Sequence, residues 1–151
     1  MRFRLFLVLS AVNVTIVPAV EAATFRGRTS QGTRVEVALN KHHALTSLTV
    51  RFVVRCTDHH TRSFTSTFER QFIHSRSGGS FSGTVDGFAG SFFSGPSYGE
   101  HLTFSARVTS ERVTGTAQGT YTLQDSGGAV CKSPRVHFQV PTWPAARLAP
   151  A

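Results

Sequence analysis

Carboxylates are scarce in this chain of 151 residues: 8 Asp and Glu stand against 16 Lys and Arg, for a formal net charge of +8. Beyond Glu21 the acids are Glu36, Asp58, Glu69, Asp86, Glu100, Glu111 and Asp125, and none has a close acidic neighbour in sequence. Glycosidase chemistry needs two facing carboxylates, which only different strands could bring together here. With only 2 cysteines the chain has no cysteine cluster of zinc-site spacing, and it has no calcium-loop or phosphate-binding glycine pattern. Its 13 glycines never fall into a three-residue repeat, which excludes collagen. A hydrophobic share of 40% against 16% charged residues excludes a disordered chain. Long apolar runs are missing apart from Leu5 to Val17, which is short for a bilayer span and carries Asn13 and Thr15.

That one run has a context. Met1-Arg2-Phe3-Arg4 is cationic, and Pro18 with the small residues Ala19, Val20, Ala22 and Ala23 follows the apolar stretch. This is the order of a secretory signal peptide, with Val20 and Ala22 at the positions where a signal peptidase accepts small side chains. An uncleaved anchor is the alternative. The reading divides the chain into a signal peptide at 1–22, a β domain at 23–140 and a flexible Pro/Ala-rich tail at 141–151 anchored only by Trp143. It places the domain in a periplasm or outside the cell. Without Arg2, Arg4 and Glu21, 14 basic and 7 acidic side chains remain. The excess of Arg over Lys reads either as selection for planar donors that grip phosphate, sulfate or carboxylate, or as codon bias in a GC-rich genome.

Cys56 and Cys131 both fall in the exported part and have no third partner, so a disulfide is expected. Its loop of 75 residues makes it worth about 4 kcal/mol in the chain-entropy account.

After residue 23 alternation replaces helical spacing. Thr33 to Asn40 sets Val35, Val37 and Leu39 against Arg34, Glu36 and Ala38. Leu45 to Cys56 points Leu48, Val50, Phe52, Val54 and Cys56 inward and Thr49, Arg51, Val53 and Arg55 outward. Ser63 to His74 carries Phe64, Phe68 and Phe72 less regularly, consistent with a bulge. His101 to Thr109 aims Leu102, Phe104, Ala106 and Val108 inward, and Arg112 to Gln124 lines Val113, Gly115, Ala117, Gly119, Tyr121 and Leu123 along one face. Small residues there leave room for a close neighbour, either a ligand or large side chains from another strand. Val130 to Val140 reads as a last strand anchored by Cys131, Val136 and Phe138 and interrupted by Pro134. Turn signals at Ser77-Gly78-Gly79, Asp86-Gly87, Ser94 to Gly99 and Asp125 to Gly128 separate several of these runs. The expectation is an all-β antiparallel sandwich or jelly roll of about eight strands with one disulfide.

The segments Phe25-Arg26-Gly27, Cys56, Gly78-Gly79-Ser80-Phe81 and Cys131-Lys132-Ser133 leading to Val136-His137-Phe138 resemble a loosely defined group of small secreted bacterial β-sandwich proteins of uncharacterised function. Pro134 stands where similar proteins usually have Gly. The resemblance implies a disulfide-tied β-sandwich and carries over no catalytic residue.

Three kinds of candidate site follow. Arg51, Arg55 and Arg107 project from outer strand faces and, if adjacent, form an anion-binding surface for a sulfated or phosphorylated polymer, a glycan or another cell-surface component. His42, His43, Asp58, His59 and His60 are metal-ligand types in two loops, and would need both loops, or His74 or His101, to complete a site. Gly95-Pro96-Ser97-Tyr98-Gly99 matches the Gly-x-Ser-x-Gly nucleophile elbow, but a strand rather than a helix follows it. The functional expectation is a secreted, non-catalytic binding module with no cofactor. A hydrolase with an unidentified site or a His-loop metal binder is the alternative.

Overall fold

The computed structural model describes residues 22–89, 98–124 and 127–142, without the side chains of 88 and 89. Residues 1–21 of the expected signal peptide, Ser97, the turn residue Asp125, and residues 143–151 of the expected tail with Trp143 lie outside the described residues. The first two residues of that tail are ordered on the domain, Pro141 ending the last strand and Thr142 N–H donating to Glu111 O at 2.9 Å. The described chain is all β, and its ten strands belong to one hydrogen-bonded sheet. They are β1 (Ala23–Thr29), β2 (Arg34–Leu39), β3 (Leu45–Cys56), β4 (Thr61–Glu69), β5 (His74–Arg76), β6 (Ser80–Ala89), β7 (Tyr98–Val108), β8 (Arg112–Leu123), β9 (Val130–Lys132) and β10 (Val136–Pro141). Six of them close into a ring, in the order β10, β1, β2, β3, β9, β8 and back to β10. Strand β4 hangs on β3, and β7, β6 and β5 extend outward from β8. The class and the disulfide are as expected, whereas the single closed sheet is not clearly the two-layered sandwich or jelly roll, and the strands number ten.

The alternation of apolar residues decides which face turns inward. Val35, Val37, Leu48, Val50, Phe52, Val54, Leu102, Val113, Tyr121 and Val136 are each at most 1% exposed. Phe64 and Phe68 on β4 join this core, Phe68 tilting against Phe104 with ring centroids 4.6 Å apart. The run Ser63 to His74 is therefore not one bulged strand. Strand β4 pairs with β3 without a break from Ser47 opposite Glu69 to Arg55 opposite Thr61, and a 3-10 turn, Arg70–Phe72, then leads to β5. Asp86-Gly87 is not a turn either. Both residues lie inside β6, opposite His101 and Glu100 of β7.

Ring closure comes from the last expected strand, which is broken in two. Strand β9 ties β8 to β3, and β10 ties β8 to β1. Between them the partner of Thr120 is Lys132, while the partner of Ala117 is Val136, so Ser133 to Arg135 insert one extra residue opposite β8. Such a bulge switches the inward parity, from Cys131 on β9 to Val136 and Phe138 on β10. Pro134 fits there because it has no N–H to give a ladder. Ser133 bridges the gap: its N–H donates to Gly119 O and its Oγ accepts from Gly119 N–H, both at 2.8 Å.

Each of the two closing seams is narrow. The β3–β9 seam has two residue pairs, Arg55 with Lys132 and Cys56 with Cys131, and the disulfide joins the second pair. The β1–β10 seam also has two pairs, Arg28 with Gln139 and Thr29 with Phe138. Beyond each seam a hydroxyl residue clamps the partner backbone. Ser30 N–H donates to His137 O at 2.7 Å and Ser30 Oγ accepts from His137 N–H at 3.1 Å. Thr57 N–H donates to Val130 O at 2.9 Å and Thr57 Oγ1 accepts from Val130 N–H at 3.1 Å.

Candidate functional site

Because the ring turns apolar residues inward, its outer surface is written by the alternate positions, and cross-strand register lines them up in rows. One row runs Arg107 on β7, Thr114 on β8, Gln139 on β10 and Arg28 on β1, each directly opposite the next. It continues through Arg34 on β2, opposite Arg28, and then Arg51 on β3, which faces Thr65 on β4. Arg34, Glu36, Thr49, Arg51 and Thr65 together line one shallow depression of about 270 Å³. Neighbouring strands are about 4.8 Å apart, so Arg28, Arg34 and Arg51 form a tight cationic group. Arg26 adds a fourth guanidinium beside it. The one carboxylate among them is Glu36, which accepts from Arg26 Nε at 2.7 Å and from Arg34, and the two guanidiniums hold it below the usual carboxylate range.

A second row lies alongside: Ser105, Thr116, His137 and Ser30. Arg28, Ser30, Thr114, Thr116, His137 and Gln139 edge a groove of about 610 Å³ over the β1–β10–β8 junction. Gly115 lies in the groove floor, and its missing side chain is on the inward side. A Cβ on Gly115 would stand 2.5 Å from Ser105 O and 2.6 Å from the Phe138 ring. Thus the small residues along β8 are filled from inside the protein, here by Phe138. The outward strand positions from Thr103 of β7 round to β1 carry hydroxyls, amides, His137, Pro141 and guanidiniums, and no carboxylate.

The three arginines singled out from sequence are only partly brought together. Arg51 sits in the β1–β3 cluster. Arg55 is on the same face of β3 but about 13 Å farther along, at 3.3 Å per residue, and its row is a different one, with Lys132, Thr120, His101 and Asp86. Arg107 shares the row of Arg51 but stands on β7, separated from Arg28 by Thr114 and Gln139. Arg26, Arg28 and Arg34 complete the cluster that the sequence reading left incomplete. Arg34 already showed outward parity in sequence. Arg26 and Arg28 were missed because β1 was not read as a strand.

The histidine loops do not meet. His42 and His43 lie in the β2–β3 turn, and His59 and His60 in the β3–β4 turn, at opposite ends of the twelve-residue β3. At 3.3 Å per residue the two turns are about 35 Å apart, far beyond the reach of one ion. Each turn has a structural account. Asn40 Oδ1 accepts from the backbone N–H of His42 and Ala44, and Asp58 Oδ1 accepts from His60 N–H. Asp58 also pairs with Arg62 at 2.6 Å, which holds its carboxyl down at about 2. Among the described residues no three His, Cys, Asp or Glu side chains come together as a metal site.

One inward acid was missed. Glu100 follows the parity of Leu102 and Phe104 and stands one residue before the expected strand His101 to Thr109, since β7 begins at Tyr98. It faces the interior, opposite Tyr121, and its Oε2 accepts from Ser66 Oγ at 3.1 Å. Ser66, 3% exposed, also meets the Tyr121 hydroxyl at 3.1 Å. The Phe64 ring stacks on Tyr121 at 4.1 Å and meets the Tyr98 ring edge-on at 4.9 Å. Burial pushes the Glu100 carboxyl up and, with the charge of Glu100, raises both tyrosines. The nearest acid along the sheet, Asp86, is on the opposite face and pairs with His101 Nδ1. Glu100 and Asp86 are therefore not a facing carboxylate pair of the kind glycoside hydrolysis uses.

Compared with protein-family models, curated proteins and solved structures, the chain matches none.

Proposed function

We propose that the protein is an exported, non-catalytic binding module that holds an anionic polysaccharide, or another linear polyanion of a cell surface, against the outer arc of its ring. The observation that carries this reading is the row Arg107, Thr114, Gln139, Arg28, Arg34 and Arg51, whose one neighbouring carboxylate is Glu36 against four guanidiniums. Guanidiniums grip sulfate and carboxylate through paired N–H donors. Threonine, serine and glutamine side chains between them suit sugar hydroxyls. The surface is broad and shallow, which fits a polymer laid across strands better than an engulfed small molecule. Export, the signal peptide and the resemblance to small secreted bacterial proteins belong to the same reading.

The test is binding to dextran sulfate with neutral dextran as control. Expected is retention at low salt that disappears at high salt, since charges farther apart than about 8–10 Å are screened at physiological ionic strength and above. The triple variant Arg28→Ser, Arg34→Ser and Arg51→Ser should bind at least about tenfold more weakly, a loss of about 1.4 kcal/mol. Arg55→Ser should change little. Equal binding of neutral dextran, or an unaffected triple variant, overturns the proposal.

A further inference from the structure

Sheets that stop in solvent normally protect their last strand, with charge, proline, a bulge or brevity. The two free wings of this sheet differ in that respect. Strand β5 has three residues, of which His74 and Arg76 are exposed and basic. Strand β4 has nine, and Ser63 to Phe68 contain no charge, proline, glycine or bulge. Among the described residues nothing pairs with its far edge.

The direction of its backbone groups follows from the hairpin. Cys56 N–H donates to His60 O at 3.0 Å. Hydrogen-bonded and non-hydrogen-bonded pairs alternate along an antiparallel ladder. Counting from Cys56 and His60, the even-numbered residues of β4 bond to β3. Thr61, Ser63, Thr65, Thr67 and Glu69 therefore turn their N–H and C=O toward the free edge.

We propose that this edge is a homodimer seam: β4 takes β4 of a second copy, antiparallel, with Thr65 on the two-fold axis. The strand is self-complementary in that register. Thr65 faces its own copy, Ser63 faces Thr67, Thr61 faces Glu69, and on the inner side Phe64 faces Ser66 and Phe68 faces Arg62. No like charges oppose, and the hydroxyl pairs are of a kind that stabilises sheets. All five outward-turned residues find partners, for up to about ten backbone hydrogen bonds. A two-fold axis makes the contact isologous and closed, so it stops at two copies.

Thr65 is also the end of the row Arg28, Arg34, Arg51, so the axis joins two such rows into one band of six guanidiniums across the dimer. This consequence rests on the anion-binding reading; the strand pairing does not.

The experiment is sedimentation analysis of the oxidised, exported form from the micromolar to the millimolar range. Wild type should reach twice the monomer mass. Thr65→Pro removes the N–H on the axis while leaving the β3 ladder intact, and should stay monomeric with an unchanged circular dichroism spectrum. Thr65→Lys should be monomeric alone, as should Thr65→Glu, and mixing the two should restore the dimer. A wild type that stays monomeric to the top of the range overturns the proposal, and so does a dimer that survives Thr65→Pro. Dextran sulfate binding by the Thr65→Pro monomer reports on anion recognition separately: retained binding leaves that reading standing whether or not the seam forms.

Discussion

The two seams that close the ring are built to the same plan and fastened differently. Each has two residue pairs and one hydroxyl residue, Ser30 or Thr57, exchanging bonds with the partner backbone. Only β3–β9 is crossed by a covalent bond, Cys56–Cys131. At β1–β10 close approach takes its place: a Cβ on Gly27 would lie 2.7 Å from Gln139 O and 2.9 Å from Val140 Cγ2. Two equally narrow seams are thus reinforced by different means. One seam is held by a crosslink that limits the unfolded chain, the other by contact between main chains.

The largest loss of stability is expected at the covalent seam. Replacing both Cys56 and Cys131 with Ala should lower stability by about 4 kcal/mol, the loop-closure value for 75 residues, read from denaturant midpoints. Hydrogen exchange in that variant should rise first in β9 and at the Cys56 end of β3 while β1 stays protected. Equal acceleration at both seams would mean that the disulfide serves the whole ring and not its own joint.

A smaller effect is expected at the other seam. Gly27→Ala should cost about 1–3 kcal/mol, because the new methyl overlaps backbone atoms that cannot rotate away. Exchange should then rise in β1 and β10 first. An unchanged melting temperature would show that β1 can move away from β10 at little cost.

The smallest effect is a gain. Glu100 and Tyr121 lie in the same inward row as Cys131 and Cys56, so the covalent side of the ring also carries a half-buried acid. Its carboxyl titrates above the ordinary value because burial disfavours the charge. Folding therefore favours the protonated form, and stability falls as pH rises from the ordinary carboxylate value through the raised one. Glu100→Gln should be more stable than wild type at neutral pH, equal to it in acid, and flatter between. Melting curves across that range check the sign, and a variant less stable at neutral pH would show that the charge is needed by Ser66 and its neighbours.

The inward residues were legible because period-two alternation is the direct cause of their burial: Val35, Val37, Leu48, Val50, Phe52, Leu102 and Val113 follow it without exception. Strand β4 looked irregular only because Ser66 occupies an inward position between Phe64 and Phe68, its polarity satisfied by Glu100 and Tyr121. The inward anchors Cys131 and Val136 have opposite parity, which is the mark of a bulge around Pro134, though not of where each half pairs. Closure itself could not be read, since it joins residues as far apart as Ser30 and His137 and depends on twist summed over the whole sheet. The cationic cluster was half legible for the same reason: Arg34 and Arg51 showed their faces, but the strands that bring Arg26 and Arg28 beside them are tertiary facts.

The β1–β10 seam also sets a timetable. Ser30 and His137 are 107 residues apart in the chain, so β1 can take its final place only after β10 has been synthesised. Until then its apolar face has only β2 beside it, and contacts of such long range make folding slow. A ribosome adding about 5–20 residues per second would hold the early strands waiting for several seconds. The ring therefore cannot lock before its last strand has been made, and the crosslink at β3–β9 forms only where thiols are oxidised.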